Sequence, residues 1–460
     1  MSKDKAFCSE CIEESHVVKH VDSRGTLSTC DYCGESRKTA TIGWLAEKVH
    51  TIIQTHFGRT PPDPPDDTPL EVLKEFPYER DGDYVLDVIS ELVGWQRRDI
   101  SRDICKTLKA KSYDRHDAEM GIENAFDESA QYLENKSVGS GANFEKWHRF
   151  EDTLRSESRF FNATASSILE DIFKGVEDIK TVKGAPVLRP LSPSDTSGQL
   201  YRARIVRDDE FEGVLKQPDQ QLGPPPSGKA RLGRMNAAGV SVFYGATSID
   251  TAVAEVRPPV GSRVVAAQFN VVKDLFVLDV KALTKAVLRD SYFSANYVER
   301  AEQVSFLKTL SSLCSKAVLP GDEEFEYLTT QALAEFLASN SNIDGIIFPS
   351  VQSDGDKENV VLFHKSSRVR ALSQDLKMLH RFTGEVYLVP SGERAEETSE
   401  NGNEDLREAS LEIDCQSIKI IDVKGVKHEF SSFDAIYEED AAEANKAFFE
   451  GLQNDAHFDL

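Results

Sequence analysis

Gly233–Pro258 reads GRMNAAGVSVFYGATSIDTAVAEVRP, and the succession of elements it implies decides the fold class. Alternation over 240–246 puts Val240, Val242 and Tyr244 on one face of a strand and Ser241 and Phe243 on the other. Gly245 ends the strand, and Thr247-Ser248-Ile249-Asp250 has the pattern of a capping box that starts a helix near Ile249. Pro258 and Pro259 stop that helix. Its apolar stripe is Ile249, Ala252, Val253 and Val256, and Glu255 falls about 110° from the stripe's centre, at the edge of the buried face. Upstream, Arg234 stands beside Gly233 on a turn where glycine lets the backbone approach a ligand closely. Its planar fork suits phosphate oxygens better than a lysine would. A cation, an aromatic face and a carboxylate on one strand–turn–helix unit suit a phosphorylated substrate that also carries a ring and a sugar.

Outward from this stretch the pattern stays mixed. YRARIVR, VVAAQFNVV, LFVLDV, GIIFPSV and NVVLFH read as strands, and SIDTAVAEV and EEFEYLTTQALAEFLAS as helices. Together they predict an α+β domain over 184–375, entered through a linker at Gly184–Pro193. Residues 41–183 read as an all-α domain, with TIGWLAEKVHTIIQTHF, DYVLDVISELVG and FEKWHRFEDTLRSESRFF carrying apolar residues at helical spacing. Five prolines in 58–69 mark a surface loop inside it. Residues 376–460 form an acidic extension: SGERAEETSENGNEDL reads as disordered, LEIDCQSIKIIDVKGVKHEF as a strand pair, and the end as an acidic helical tail.

The 460 residues carry a net charge of -24 with 40% apolar and 29% charged side chains, which describes a multidomain globular chain. Residues 391–460 hold 19 acidic and 6 basic groups, while Arg202–Arg234 is locally cationic. A cationic segment inside an acidic protein fits a small anion, and the overall charge argues against nucleic acid as partner. The acidic tail folding back on the cationic segment is one expectation for control of a site there. There is no apolar run of 18 residues and no secretory leader at MSKDKAFCSEC, so the expectation is a cytoplasmic protein without a membrane partner.

The seven cysteines do not form a disulfide framework. Cys8-x2-Cys11 and Cys30-x2-Cys33, eighteen residues apart, have zinc-ribbon spacing, so residues 1–40 are predicted to bind a structural Zn2+ through Cys8, Cys11, Cys30 and Cys33. Four sulfur ligands leave no open catalytic position. His16 and His20, between the pairs, read as surface residues.

YRAR at 201–204, the run 233–258, EYLTTQALAEF at 326–336, DGIIFPSV at 344–351 and ENVVLF at 358–363 resemble the RES domain, in the family's order, over roughly residues 185–370. The resemblance implies a fold like that of ADP-ribosyltransferases and an activity that destroys NAD+, as in bacterial toxins kept in check by an antitoxin. The cysteine module and helical segment resemble the HEPN-type region that precedes RES domains in longer members. Carried over, the arginine of the first strand is Arg202, with Arg204 the alternative; the others are Arg234, Tyr244, Glu255 and Ser350, and Gln331 is a weaker pocket candidate. MNAAG replaces a tryptophan-containing turn found in short toxins, and the compact toxins lack the added mass at both ends.

On this resemblance Arg202 and Arg234 bind the diphosphate, Tyr244 packs on the nicotinamide side, Glu255 offsets charge on the ribose, and Ser350 orients ribose or acceptor. The acceptor names the reaction: water gives a glycohydrolase, phosphate a phosphorylase, a protein side chain an ADP-ribosyltransferase. Ser350 has no histidine placed to make it a nucleophile, and His364 reads as structural. Two rival classes are a HEPN ribonuclease and a non-catalytic NAD- or nucleotide-binding regulator. The ribonuclease needs an arginine followed four to six residues later by histidine, and Arg115-His116 and His148-Arg149 do not supply it.

Overall fold

The computed structural model describes residues 4–64, 78, 80–134, 140–158, 161–315, 326–339, 342–350, 357–380, 386–393 and 405–425. Two apolar cores organise them.

The first core draws on residues 7–132. Ala6–Cys8, Ser36–Thr41 and Thr26–Thr29 make a three-stranded antiparallel sheet with Ser36–Thr41 in the centre. The helix Ile42–His56 follows directly, capped by the Thr41 side chain, which accepts from Trp44 N. It buries Ile42, Leu45, Ala46, Val49, Ile52 and Ile53, one stripe at three- and four-residue steps. Val85–Val93 and Arg98–Lys111 complete the layer. This region is not all-α as the sequence suggested. Phe57–Arg59, Gln131–Glu134 and Asp83–Tyr84 form a second small sheet. The chain leaves its helix at Phe57 in extended form and pairs at once, so Gly58 and Arg59 belong to a strand rather than to the proline loop.

The second core is built on an eight-stranded mixed sheet. In chain order its elements are α1 (Ser140–Ser156), α2 (Ala163–Phe173), β1 (Leu188–Leu191), β2 (Gln199–Val206), β3 (Phe243–Ala246), α3 (Ile249–Glu255), β4 (Arg263–Val271), β5 (Leu275–Asp279), α4 (Tyr297–Ser315), α5 (Leu328–Ser339), β6 (Gly345–Pro349), β7 (Glu358–Leu362) and β8 (Leu411–Asp422). The strand order is β8-β4-β2-β3-β7-β6-β5-β1. All neighbours are antiparallel except β5 and β6, whose parallel pairing needs the long crossover that contains α4 and α5. β2 meets β3 at one paired position, Tyr201–Ala246, so two paired blocks join at a single rung.

Three expectations change here. Gly184–Pro193 is not a free linker, because Leu188–Leu191 pairs with β5 as the edge strand of the sheet. α1 and α2 bury Trp147, Phe150, Leu169 and Ile172 in the same cluster as Leu278, Ile346 and Val361, so the boundary expected at residue 183 falls inside this core. Of LEIDCQSIKIIDVKGVKHEF, Leu411–Asp422 is one long strand, and the second half expected of the pair, residues 426–430, lies outside the described residues. The strand binds the otherwise open edge of β4, burying Leu411 and Ile413, with a register irregularity between Ala266 and Gln268. Gln374–His380 and Val386–Glu393 form a separate hairpin. The acidic helical tail and most of the stretch read as disordered lie outside the described residues. Among the described residues no helix is long and apolar enough to cross a membrane.

Candidate active site

Side-chain alternation sorts the sheet into two faces. Val242 and Tyr244 join one cluster with Val361, Ile346 and Phe348, whereas Phe243 joins the other with Val360 and Leu362. The strand is shorter than 240–246 suggests: Phe243–Ala246 is paired, while Val240 and Ser241 are held in the preceding turn. Asn236 Nδ2 donates to the Val240 carbonyl at 3.0 Å, and the Ser241 side chain donates to the Pro225 carbonyl.

Arg234 sits on this turn. Asn236, 2% exposed, is its hub: Nδ2 also donates to the carbonyls of Arg231 and Ala237, and Oδ1 accepts from the Tyr244 hydroxyl at 2.8 Å. Tyr244 Oη in turn accepts from Met235 N at 3.0 Å. Burial raises the Tyr244 pKa, opposed by the bond from Met235, so the phenol stays neutral. Gly233 is required by this packing, because a β-carbon there would lie 2.5 Å from both Asn236 Oδ1 and Tyr244 Oη. From α5, Thr330 Oγ1 donates to the Arg234 carbonyl (2.7 Å) and Gln331 Nε2 to that of Gly233 (2.8 Å). Gln331 is therefore buried and holds the turn from beneath. The sequence offered no signal for Asn236 or Thr330, whose roles depend on which loop meets which helix.

The Arg234 guanidinium donates to the Cys314 carbonyl at 3.1 Å, at the C-terminal end of α4, and lies 5.1 Å from the centre of the Tyr327 ring. A cation suits a helix C-terminus. Burial pushes the Cys314 thiol up to about 12, with Arg234 opposing.

α3 begins at Ser248, whose side chain accepts from Thr251 N, and ends at Glu255. Arg257 follows with φ of 47°, a left-handed turn that a non-glycine residue adopts only at a cost. The helix packs on Ala203, Ala246 and Ala266, small residues that let it sit close to the sheet and present Glu255 to the ends of β6 and β7. There Ser350 Oγ donates to Glu255 Oε1 at 2.6 Å and Asn359 Nδ2 to the same oxygen at 2.7 Å. The carboxylate and serine named from the sequence thus meet directly. Asn359 was missed, although it opens the quoted NVVLF run and shares a face with Val361 and Phe363. Beside it, Arg189 of β1 reaches Glu358 (2.9 Å) and Asp279 (3.4 Å), and Thr247 N donates to the Glu358 carbonyl (3.0 Å), tying the β3–α3 loop to β7.

Arg202 approaches from the other side. Its neighbours Tyr201 and Ala203 pack against α3, whereas its guanidinium carbon lies 5.3 Å from the Phe243 ring centre and its Nη1 donates to the Tyr244 carbonyl at 3.2 Å. Among the described residues no hydrogen bond joins Arg202 to Arg234, and both charges act on the Tyr244 phenol. Burial lowers the Arg202 pKa to about 10, with Tyr244 opposing and Arg204 adding to the fall. Among the described residues no carboxylate pairs with Arg202 or Arg234, while Arg204 pairs with Glu210. His364 contacts the Ser241 carbonyl through Nδ1 and Arg407, away from Ser350.

The four cysteines converge within the first core. Their sulfurs lie within 4.8 Å of one another, with Cys8–Cys11 at 3.7 Å, Cys8–Cys33 at 3.6 Å and Cys11–Cys30 at 3.9 Å. A tetrahedral ion with sulfur ligands at about 2.3 Å sets its ligands about 3.8 Å apart, so the residues fit zinc. Burial raises the Cys30 thiol, but backbone amides of Tyr32, Cys33 and Cys8 and the Cys33 sulfur outweigh it and bring it down to about 7, whereas burial holds Cys8 and Cys11 above the usual thiol range.

No curated protein matches the chain. The RES domain family model matches residues 199–379, from the start of β2 to the end of the Gln374–His380 strand. That stretch holds Arg202, Arg234, Tyr244, Glu255 and Ser350, and leaves the two edge strands β1 and β8 outside it. Residues 199–379 of the chain are a RES domain.

Proposed function

We propose that the chain degrades NAD+ by breaking the bond between nicotinamide and ribose, as a glycohydrolase or phosphorylase. The observation that carries this reading is Glu255, a carboxylate held on one oxygen by Ser350 and Asn359 on the face of the sheet that also bears Tyr244. Breaking that bond builds positive charge on the ribose, and a fixed carboxylate offsets such charge without reorganising. The Tyr244 hydroxyl is already engaged by Met235 and Asn236, so the ring is its contribution, a flat wall for the leaving group.

Among the described residues neither arginine has a carboxylate partner, which suits both to an anion. Arg234, on the Tyr244 face, is the first candidate for the diphosphate; its contact with the Cys314 carbonyl leaves most of its five donors for phosphate. Arg202 reaches the site through the Tyr244 carbonyl and the rung that joins the two blocks of the sheet. Ser350 holds Glu255 and orients the ribose or the acceptor. In this reading the protein works in the cytoplasm, the four-cysteine module holds a structural Zn2+, and a partner of antitoxin type controls turnover.

The test mixes the full-length protein with NAD+, with and without inorganic phosphate, and follows nicotinamide, ADP-ribose and its phosphorylated form. Nicotinamide release that Glu255→Ala and Arg234→Ala both abolish, with cooperative melting retained, is the expected result. Full rate in both variants removes the site from the reaction; NAD+ binding without nicotinamide release would make the protein a nucleotide-binding regulator, and labelled ADP-ribose on protein a transferase.

A further inference from the structure

Glu255 accepts both of its hydrogen bonds on one oxygen, Oε1. Among the described residues Oε2 accepts none. A carboxylate can only accept, so the Asn359 amide must turn its nitrogen to Glu255, and this fixes its oxygen on the opposite side. Asn359 is 7% exposed, and its Oδ1 is buried with no hydrogen-bond partner. A buried amide oxygen left unpaired costs about 1–3 kcal/mol. Of the buried side-chain atoms without a partner among the described residues, it is the one on a residue that bonds Glu255. The other carboxylate at this end of the strand, Glu358, is turned to Arg189 at 2.9 Å.

We infer that Asn359 is the positioning residue of the site: it pins Glu255 Oε1, leaving Oε2 as the oxygen that meets the substrate, and it offers its own Oδ1 as an acceptor for a substrate hydroxyl. The inference rests on the reading that the ligand is a ribose-bearing dinucleotide, since a sugar diol brings two O–H donors, one for each acceptor. Ser350 alone leaves the carboxylate free to rotate about a single bond. The second donor, from a strand rather than a loop, removes that freedom.

The test compares the full-length wild type with Asn359→Asp and Asn359→Ala, following nicotinamide release from NAD+ across pH. Asn359→Asp sets a second carboxyl group beside Glu255, where two negative charges disfavour each other and a shared proton restores the lost donor. Its kcat at neutral pH is expected to fall on the order of 100-fold and to recover toward acid, moving the pH optimum down. Asn359→Ala loses the same rate without acid recovery, and its KM rises because the acceptor is gone. A wild-type rate in either variant, or a rate loss in Asn359→Asp with an unmoved pH optimum, overturns the inference. Should Asn359→Asp fail to melt cooperatively, Asn359→Ala decides: lowered kcat with an unchanged melting temperature supports the role, and full kcat ends it. If the wild type itself releases no nicotinamide, the functional reading falls and takes this inference with it, an outcome visible before any variant is made.

Discussion

Arg80 and Arg202 are both part-buried arginines, one in each core, and their surroundings treat them in opposite ways. Arg80 uses all five of its donors: a forked pair to Glu123 (2.9 and 3.0 Å), the Thr60 carbonyl and hydroxyl, and the Ser129 carbonyl. Arg202 has a carbonyl, an aromatic face and, among the described residues, no carboxylate. The effect shows in the protonation equilibria. The hydrogen bond from Arg80 carries Glu123 down to about 2 against its own burial, whereas burial brings Arg202 down to about 10. A charge neutralised within the chain belongs to the architecture. One left without a counter-ion is stabilised only when an anion arrives from outside.

The largest effect expected from this contrast is at Arg80. Arg80→Ala leaves Glu123 with Arg59 and the Ser129 hydroxyl as its partners among the described residues and should cost on the order of 3 kcal/mol, read as a lower urea midpoint. Next, Arg234→Ala should lower kcat/KM for NAD+ on the order of 100-fold, while Arg234→Lys, which keeps charge but loses the fork, falls between. Arg202→Ala sharpens the comparison because its sign reverses. Stability without ligand should stay the same or rise, and the stabilisation that NAD+ gives to the melting temperature should shrink; a clear loss of stability without ligand would place Arg202 with Arg80. Arg204→Ala, which breaks an exposed pair with Glu210, should change stability by less than about 1 kcal/mol and leave activity intact.

Smaller again is Tyr244→Phe, which keeps the ring but strands Met235 N and Asn236 Oδ1, a loss of about 1–3 kcal/mol with a milder effect on rate. The pH dependence comes last. The folded Glu123 pKa lies below its ordinary value, so its contribution is complete above the usual carboxylate range and is lost as pH falls through about 2. The first core should weaken on acidification over that window. In Arg80→Ala the loss should begin at higher pH, read as the midpoint of acid unfolding.

Several features were legible because they are local. The cysteine spacing announced four converging sulfurs, since each pair lies within a single turn. The capping box placed the start of α3 at Ile249, and the alternation of Val242, Phe243 and Tyr244 sorted them to the faces they occupy. What failed depended on edges and partners. Leu188–Leu191 looks like a linker and Leu411–Asp422 like part of a C-terminal extension until a sheet offers each an open edge, because an unpaired strand edge accepts whatever extended segment reaches it.

The sequence by itself named the residues of the candidate site, the arginines, tyrosine, glutamate and serine, because those residue types lie in a family motif that strand and helix periods carry along the chain. Only the tertiary structure decided how they act. It put Arg202 on the Phe243 face and Arg234 on a turn pinned by Asn236, Thr330 and Gln331, and it gave Glu255 its second donor from Asn359, which lies 104 residues away in the chain. Hydrogen bonds and uncompensated charges are set by what stands a few ångströms away in space. Residues so far apart in the chain become neighbours only when the sheet closes.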